Sequence, residues 1–354
     1  MDEIRRTPER VFEMAPMWTL TCNNDIRSIY GGDMNTTRVL STLALLLGGA
    51  LAPTVGATTY DLYFLGGQSN MDGYGYVEEL PTEAAGPVEG VVIFHGNTSP
   101  DDAAVDGRGL WAELRPGHGG GYSSDGKTAT YSDRFGVELS FARTLRKLEP
   151  DAHIAIIKYS RGGSSIDRDA ADRFGCWDPD YPDDASTGVN QYDHFLATIQ
   201  HAVAVDDIDG DGQSDVLVPR GIIWMQGESD AAHGEEIAQR YEANLERLMD
   251  LIRAALWTDD LPVVIGRISD SGNDEEEKDG KVWNHGEIVR QAQQSYVAND
   301  PRAALVTSTD AYGYSDPWHY DSAGYLDLGT QFAIAVHELR ESSNRSAERD
   351  TVVQ

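Results

Sequence analysis

The sequence predicts an α/β protein, a three-layer α/β/α sandwich with a parallel sheet. Three observations carry that expectation. Short apolar runs alternate with longer amphipathic segments from residue 60 to residue 340. The apolar runs are nearly unbroken by polar residues, as strands covered on both faces must be. Glycine-containing polar clusters follow several of them, at the strand ends where ligands collect in such folds.

The elements follow in order. "YDLYFLG" (60–66) reads as a strand, and "GVVIFH" (90–95) as a second. Residues 96–132 are rich in Gly, Asp and Ser and read as a long surface excursion. "RFGVELSFARTLRKLEP" (134–150) has helical apolar spacing and stops at Pro150. "AHIAIIKYS" (152–160) is a strand, and 165–190, with many Asp and Pro, is loop. Helices are expected over 191–205, 235–256, 282–299 and 322–340. Strands are expected within 218–230 and over 261–269 and 303–309. This places one domain over 58–341, followed by a polar, frayed tail (342–354), with no internal repeat.

Charge narrows the partners. The 354 residues include 59 acidic against 28 basic, a formal net charge of -31. Nucleic acid and anionic membrane need a basic surface and are excluded as partners of the mature form. A neutral ligand fits, as does a high-salt habitat in which surplus carboxylates keep a protein soluble. Hydrophobic content of 40% supports a sizeable core.

The N-terminal region carries a leader-like pattern. Met34 is followed by the cation Arg38, an apolar stretch from Val39 to Leu51, and small residues at Val55-Gly56-Ala57. That is the layout of a secretory signal peptide (34–57), and its apolar core is short for a membrane span. Residues 1–33 then read as an upstream extension, and the protein as secreted or periplasmic. The alternative is an N-terminal membrane anchor with a cytoplasmic tail. Of Cys22 and Cys176, only the second remains after cleavage, so no intrachain disulfide is expected.

Four polar clusters sit at strand ends or late loops: Gly67-Gln68-Ser69-Asn70, Arg161-Gly162-Gly163-Ser164, Gln226-Gly227-Glu228-Ser229-Asp230, and Asp316-Pro317-Trp318-His319. Singly, each is an ordinary turn. Together they hold what acyl transfer requires. Ser69 is the nucleophile candidate. His319 is the base that takes its proton. Asp316, three residues earlier, fixes the other ring nitrogen. The backbone N–H of Ser69, the backbone N–H of Gly163 and the side-chain amide of Gln226 are the oxyanion donors.

The order Gly-Gln-Ser-Asn-Met, Gly-Gly-Ser-Ser, Trp-x-Gln-Gly-Glu-Ser-Asp and Asp-x-x-His resembles the SGNH (GDSL-like) hydrolase superfamily. Within it, the chain is similar to the sialate O-acetylesterase / carbohydrate esterase family 6 branch, which includes acetylxylan esterases. The resemblance spans residues 60 to about 335. It implies a flavodoxin-like SGNH fold, the triad Ser69, Asp316 and His319, and an oxyanion hole of Ser69, Gly163 and Gln226. Gln226 stands where the wider superfamily has asparagine. Glu228 is the alternative acid, since some members of the branch have been read with the Gln-Gly-Glu glutamate orienting the histidine. Whether Gly162 or Gly163 donates stays open, and Asn70 and Asp230 are taken as supporting or substrate-side groups. The implied activity is hydrolysis of O-acetyl esters on a carbohydrate through an acyl-enzyme, with no organic cofactor.

A separate motif, "DDIDGDGQSDVL", places Asp207, Asp209, Asp211, Gln213 and Asp215 at alternating positions with Gly212 sixth. This matches the front of a calcium loop, although Val218 stands where the bidentate glutamate belongs. A structural Ca2+ is the expectation, a solvated acidic turn the alternative.

Two other functions compete: a lipase or thioesterase on the same scaffold, and a non-catalytic calcium-dependent glycan-binding protein. Trp111, Trp177, Trp283 and Trp318 could stack on sugars or fill the core. The glycan stays open among xylan, acetylated sialic acid, and algal or bacterial polysaccharide.

Overall fold

The computed structural model describes residues 57–98, 105–182, 188–274 and 278–352. The leader-like segment, the extension before it and Cys22 lie outside these residues. A seven-stranded sheet forms the centre. Its strands are β1 Thr59–Gly67, β2 Val91–His95, β3 Trp111–Glu113, β4 His153–Ser160, β5 Val216–Met225, β6 Val263–Gly266 and β7 Ala303–Val306. Their spatial order is β7-β6-β5-β1-β4-β2-β3. All neighbours are parallel except β3, which runs antiparallel to β2 at the edge.

The helices are α1 Ser69–Asp72, α2 Glu138–Leu148, α3 Gln191–Val203, α4 Glu228–His233, α5 Glu235–Ala255, α6 Gly286–Asn299 and α7 Ser322–Val352. Two successive residues of β1 show how the layers arise. Side chains alternate along a strand, so Tyr63 and Phe64 point to opposite faces. Tyr63 meets Phe141 of α2 edge-on, with centroids 5.3 Å apart. Phe64 meets Phe195 of α3 at 4.7 Å. Helix α7 joins α2 on the first face, where Val336 packs over Gly221 beside Tyr63. Helix α5 joins α3 on the second, the Tyr192 hydroxyl donating to the Leu251 carbonyl. Both faces of the apolar strands are thus covered, which is why they show no polar alternation.

Two segments differ from expectation. The 96–132 stretch is not wholly a surface excursion. It contributes edge strand β3, whose Trp111 is buried and donates its indole N–H to the Ala202 carbonyl at 2.9 Å. It also sends His118 and Tyr122 into the interior. The last helix does not stop near 340 but runs to Val352, since no glycine or proline interrupts "SSNRSAERD". Cys176 is a free, buried thiol, pushed up to about 12 by burial. Among the described residues no helix is long and apolar enough to cross a membrane.

Candidate active site

The chain goes from β1 to β2 and β4 on one side, then returns to place β5 on the other. The carboxyl end of β1 is therefore a topological switch point, where open α/β sheets leave a crevice. The segments leaving β1, β4 and β5 are 68–72, 161–164 and 226–230, so three of the four polar clusters become neighbours.

Glycine makes the first turn possible. At Gly67 φ is +143°, and a Cβ would lie 2.0 Å from the Met225 carbonyl oxygen. No other residue lets β1 turn this close to β5. The chain then enters α1, and Ser69 lines a cavity of about 650 Å3 with Gly163, Trp318 and His319. The Ser69 hydroxyl has no protein hydrogen-bond partner among the described residues.

His319 comes from the loop before α7. The Asp316 carboxylate receives its ring Nδ1–H at 2.7 Å. The other oxygen of Asp316 accepts the backbone N–H groups of Trp318 and His319, each at 2.8 Å. Burial acts to raise the Asp316 carboxyl, but the imidazole and these N–H groups outweigh it and hold the group below its ordinary value. With Nδ1 engaged, Nε2 is the ring nitrogen left for the cavity. Tyr74 stacks flat on the imidazole, with centroids 3.8 Å apart and planes 7° off parallel.

The structure separates the two acid candidates. Glu228 is fully buried and does not bond His319. Its Oε1 accepts from the Asn70 amide at 2.8 Å, and its Oε2 has no partner. Burial lifts this carboxyl to about 7 against the Asn70 hydrogen bond. Asn70 connects the acid to the histidine loop. Its amide also donates to the Trp318 carbonyl at 3.1 Å, and its oxygen accepts from the Tyr320 N–H at 3.4 Å and the Tyr325 hydroxyl at 2.8 Å. Asn70 is a brace inside the wall, not a substrate-side group.

Gln226 requires a correction. Its amide nitrogen is fully buried and donates to Asp230 at 2.6 Å and to the Ser164 carbonyl at 3.2 Å. Both hydrogens are used, and the residue does not line the cavity. A glutamine here supports the loop after β4 instead of meeting an oxyanion. Asp230 belongs to the same buried brace, also accepting the N–H of Asp167 at 2.9 Å. Burial lifts it to about 6.

The two glycines differ in their N–H groups. That of Gly162 donates to Asp72 at 3.1 Å. Those of Gly163 and Ser69 have no protein acceptor among the described residues. Gly163 holds φ at +76°, and a Cβ there would meet Phe174 at 2.4 Å. Sequence reasoning missed Gln68, which lines the cavity. Its oxygen is pinned by the N–H groups of Gly227 and Ser229, at 3.2 and 3.3 Å. Its amide nitrogen has no protein acceptor among the described residues. It also missed Asp72 and Tyr74, both within the "GGQSNMDGYG" stretch. Lys158 was hidden in an apolar run. Its buried ammonium donates to Glu138 and to the Asp72 and His118 carbonyls, at 2.7 to 2.8 Å, tying the back of α1 to the 118 loop. Of the four tryptophans weighed as sugar platforms, Trp111 and Trp177 are core, while Trp283 and Trp318 line the cavity.

The acidic loop lies before β5. Oxygens of Asp207, Asp209 and Asp215 come within 4.8 Å of one another. Asp211 stays outside this group, accepting the Gln213 N–H at 2.8 Å. Gln213 points its amide at the Gly212 carbonyl, 3.2 Å away. One oxygen of Asp215 is buried without a partner, a vacancy in hydrogen bonding that a hard cation fits.

The family model described as carbohydrate esterase, sialic acid-specific acetylesterase, matches residues 59–338. No curated protein is matched at the level of sequence. Among solved structures, the chain is similar to a protein from Arabidopsis thaliana, at 19% identity and a TM-score of 0.50, covering 78% of this chain and 98% of that one. It is similar to XAC1771, a carbohydrate acetylesterase from Xanthomonas citri, at 18% identity and a TM-score of 0.52, covering 79% of this chain and 56% of that one. It is similar to NanS at 16% identity and a TM-score of 0.52, covering 81% and 99%. At such identities the likeness is one of fold.

Proposed function

Since the chain belongs to the carbohydrate esterase family of sialic acid-specific acetylesterases, and is thereby a carboxylic ester hydrolase, we propose that it is an exported serine esterase that removes O-acetyl groups from a carbohydrate. The observation that carries this reading is the Asp316–His319 pair, 2.7 Å apart, on the cavity that also holds Ser69 and Gly163, whose N–H has no protein acceptor among the described residues.

In this mechanism the Ser69 oxygen attacks the acetyl carbonyl carbon while His319 Nε2 takes the hydroxyl proton. Asp316 stabilises the imidazolium and keeps Nδ1 protonated. The carbonyl oxygen, now negative, is met by the N–H groups of Ser69 and Gly163, with the Gln68 amide beside them. His319 returns its proton to the departing sugar oxygen, which leaves an acetyl group on Ser69. Water then attacks that ester, with His319 as base, and acetate departs as Ser69 regains its proton. In the acidic loop Asp207, Asp209 and Asp215 would hold a structural calcium ion, which would anchor the start of β5. Export rests on the apolar stretch 39–51.

The test is acetate release from 4-nitrophenyl acetate, acetylated xylan and 9-O-acetyl sialic acid by wild type and Ser69→Ala. Mass spectrometry of quenched wild type should find an acetyl group on Ser69. A mutant that keeps the wild-type rate would refute the nucleophile.

A further inference from the structure

Two glycines in a row give the segment after β4 little backbone preference of its own, and Gly163 sits at a φ of +76°. The loop must therefore be fixed from outside. The parallel pairing of β1 with β4 ends at Gly67 and Ser160. One more rung follows, the Arg161 N–H donating to the Gly67 carbonyl at 3.1 Å. Beyond it the Asp72 carboxylate takes over the connection. One oxygen accepts the Gly162 N–H at 3.1 Å, and the other accepts the Ser160 hydroxyl.

Asp72 ends α1, the short helix that opens with Ser69. Both residues line the same cavity as Gly162 and Gly163. The Lys158 ammonium donates to the Asp72 backbone carbonyl at 2.8 Å and pins it from behind. Gly162 lies so close over the helix that a Cβ on it would sit 3.3 Å from that of Ser69 and 3.6 Å from the Asp72 carboxylate. Other bonds of the loop run elsewhere. The Ser164 hydroxyl returns to the Arg161 carbonyl at 2.7 Å, and the Gln226 amide reaches the Ser164 carbonyl from the end of β5. The contact depends on shape more than on charge. Burial lifts the Asp72 carboxyl above its ordinary value, against the Ser160 hydrogen bond and the Lys158 charge. A protonated acid still offers a carbonyl oxygen to the Gly162 N–H.

We propose that Asp72 is a positioning residue, which clamps the Gly162–Gly163 backbone to the helix that carries Ser69 and so aims the Gly163 N–H at the oxygen that becomes negative in the reaction. The inference rests on the esterase reading above.

The experiment measures kcat and KM for 4-nitrophenyl acetate in wild type, Asp72→Ala and Asp72→Asn, with circular dichroism to confirm the fold. It also measures inhibition by trifluoroacetone, whose hemiketal with a serine places an oxyanion where the tetrahedral intermediate has one. The alanine variant should lose about thirty- to a hundredfold in kcat, the scale of one misplaced donor, with KM changed by less than about threefold. Its affinity for the ketone should fall by a similar factor. Asparagine keeps an acceptor in the same place and should restore kcat to within about fivefold of wild type. A general loosening of the fold would not weaken the tetrahedral analogue selectively over the substrate. A folded alanine variant with wild-type kcat and ketone affinity would overturn the clamp, and so would an asparagine variant as impaired as alanine. If the alanine variant does not fold, the asparagine result decides alone. No acetate release by wild type, or full activity in Ser69→Ala, would overturn the esterase reading, and this role with it.

Discussion

Asn70→Ala tests how the histidine loop is held. Asn70 is 2% exposed and touches the peptide on both sides of His319, through the Trp318 carbonyl and the Tyr320 N–H. It also donates the hydrogen bond that Glu228 Oε1 accepts. Alanine removes all of these together. Two acceptors, the buried Glu228 Oε1 and the part-buried Trp318 carbonyl, lose a donor, at about 1–3 kcal/mol each, so the fold should lose about 2–6 kcal/mol. The larger effect is on rate. A reacting group displaced by about 1 Å loses about a hundredfold, and His319 would be freed on both flanks at once. The assay is kcat and KM for 4-nitrophenyl acetate, with circular dichroism to follow unfolding. We expect kcat to fall about a hundredfold, with KM changed far less, at a temperature where the variant remains folded. A folded variant with kcat within threefold of wild type would refute the bracing role, because Asp316 and the Ser271–Pro317 hydrogen bond would then suffice to hold the loop.

Three further outcomes follow from the same geometry. Burial raises Glu228 to about 7 and Asp230 to about 6, above ordinary values of 4.5 and 3.8. The folded state therefore binds these protons more tightly, so their stabilisation is complete at low pH and is lost as pH rises through the folded values. Glu228→Gln should flatten the fall in stability between about pH 6 and 7, where Glu228 contributes up to about 1.4 kcal/mol per pH unit; a slope equal to wild type would contradict the assignment. Gly163→Ala forces a methyl against Phe174 at a φ of +76° and should lower kcat about a hundred- to a thousandfold by displacing an oxyanion donor; full activity would remove Gly163 from that role. Stripping with EDTA should lower the melting temperature and calcium should restore it, with heat released on titration; an unchanged melting temperature and no heat would make the Asp207–Asp215 loop a solvated acidic turn.

Much of the fold and of the candidate site is legible in the sequence. The strands and helices were readable because their signals are local: unbroken apolar runs for β1, β4 and β5, and a 3.6-residue period for α5. Strand β3 was not, because three residues inside a Gly, Asp and Ser-rich stretch carry no pattern of their own, and Trp111 is fixed by a partner 91 residues away. The strand-end clusters could be picked out, since parallel topology brings such ends together. Where each side chain points could not. Gln226 and Glu228 sit in one motif beside the cavity, yet both face inward, toward Asp230 and Asn70, which only the folded chain makes visible. Lys158 shows the same limit: its partner Glu138 lies 20 residues away across the fold.

The Tyr74 ring lying flat on His319 has a consequence for when the site is strongest. A neutral imidazole gains little from the negative face of a phenol, but an imidazolium is drawn to it. In the proposed mechanism His319 becomes that cation as Ser69 gives up its proton. Burial keeps the Tyr74 hydroxyl above its ordinary value, so the phenol stays neutral where the enzyme works. The stacked pair therefore favours the moment of proton transfer over the resting state, and the same contact that limits how far the ring can turn also lowers the barrier it must cross.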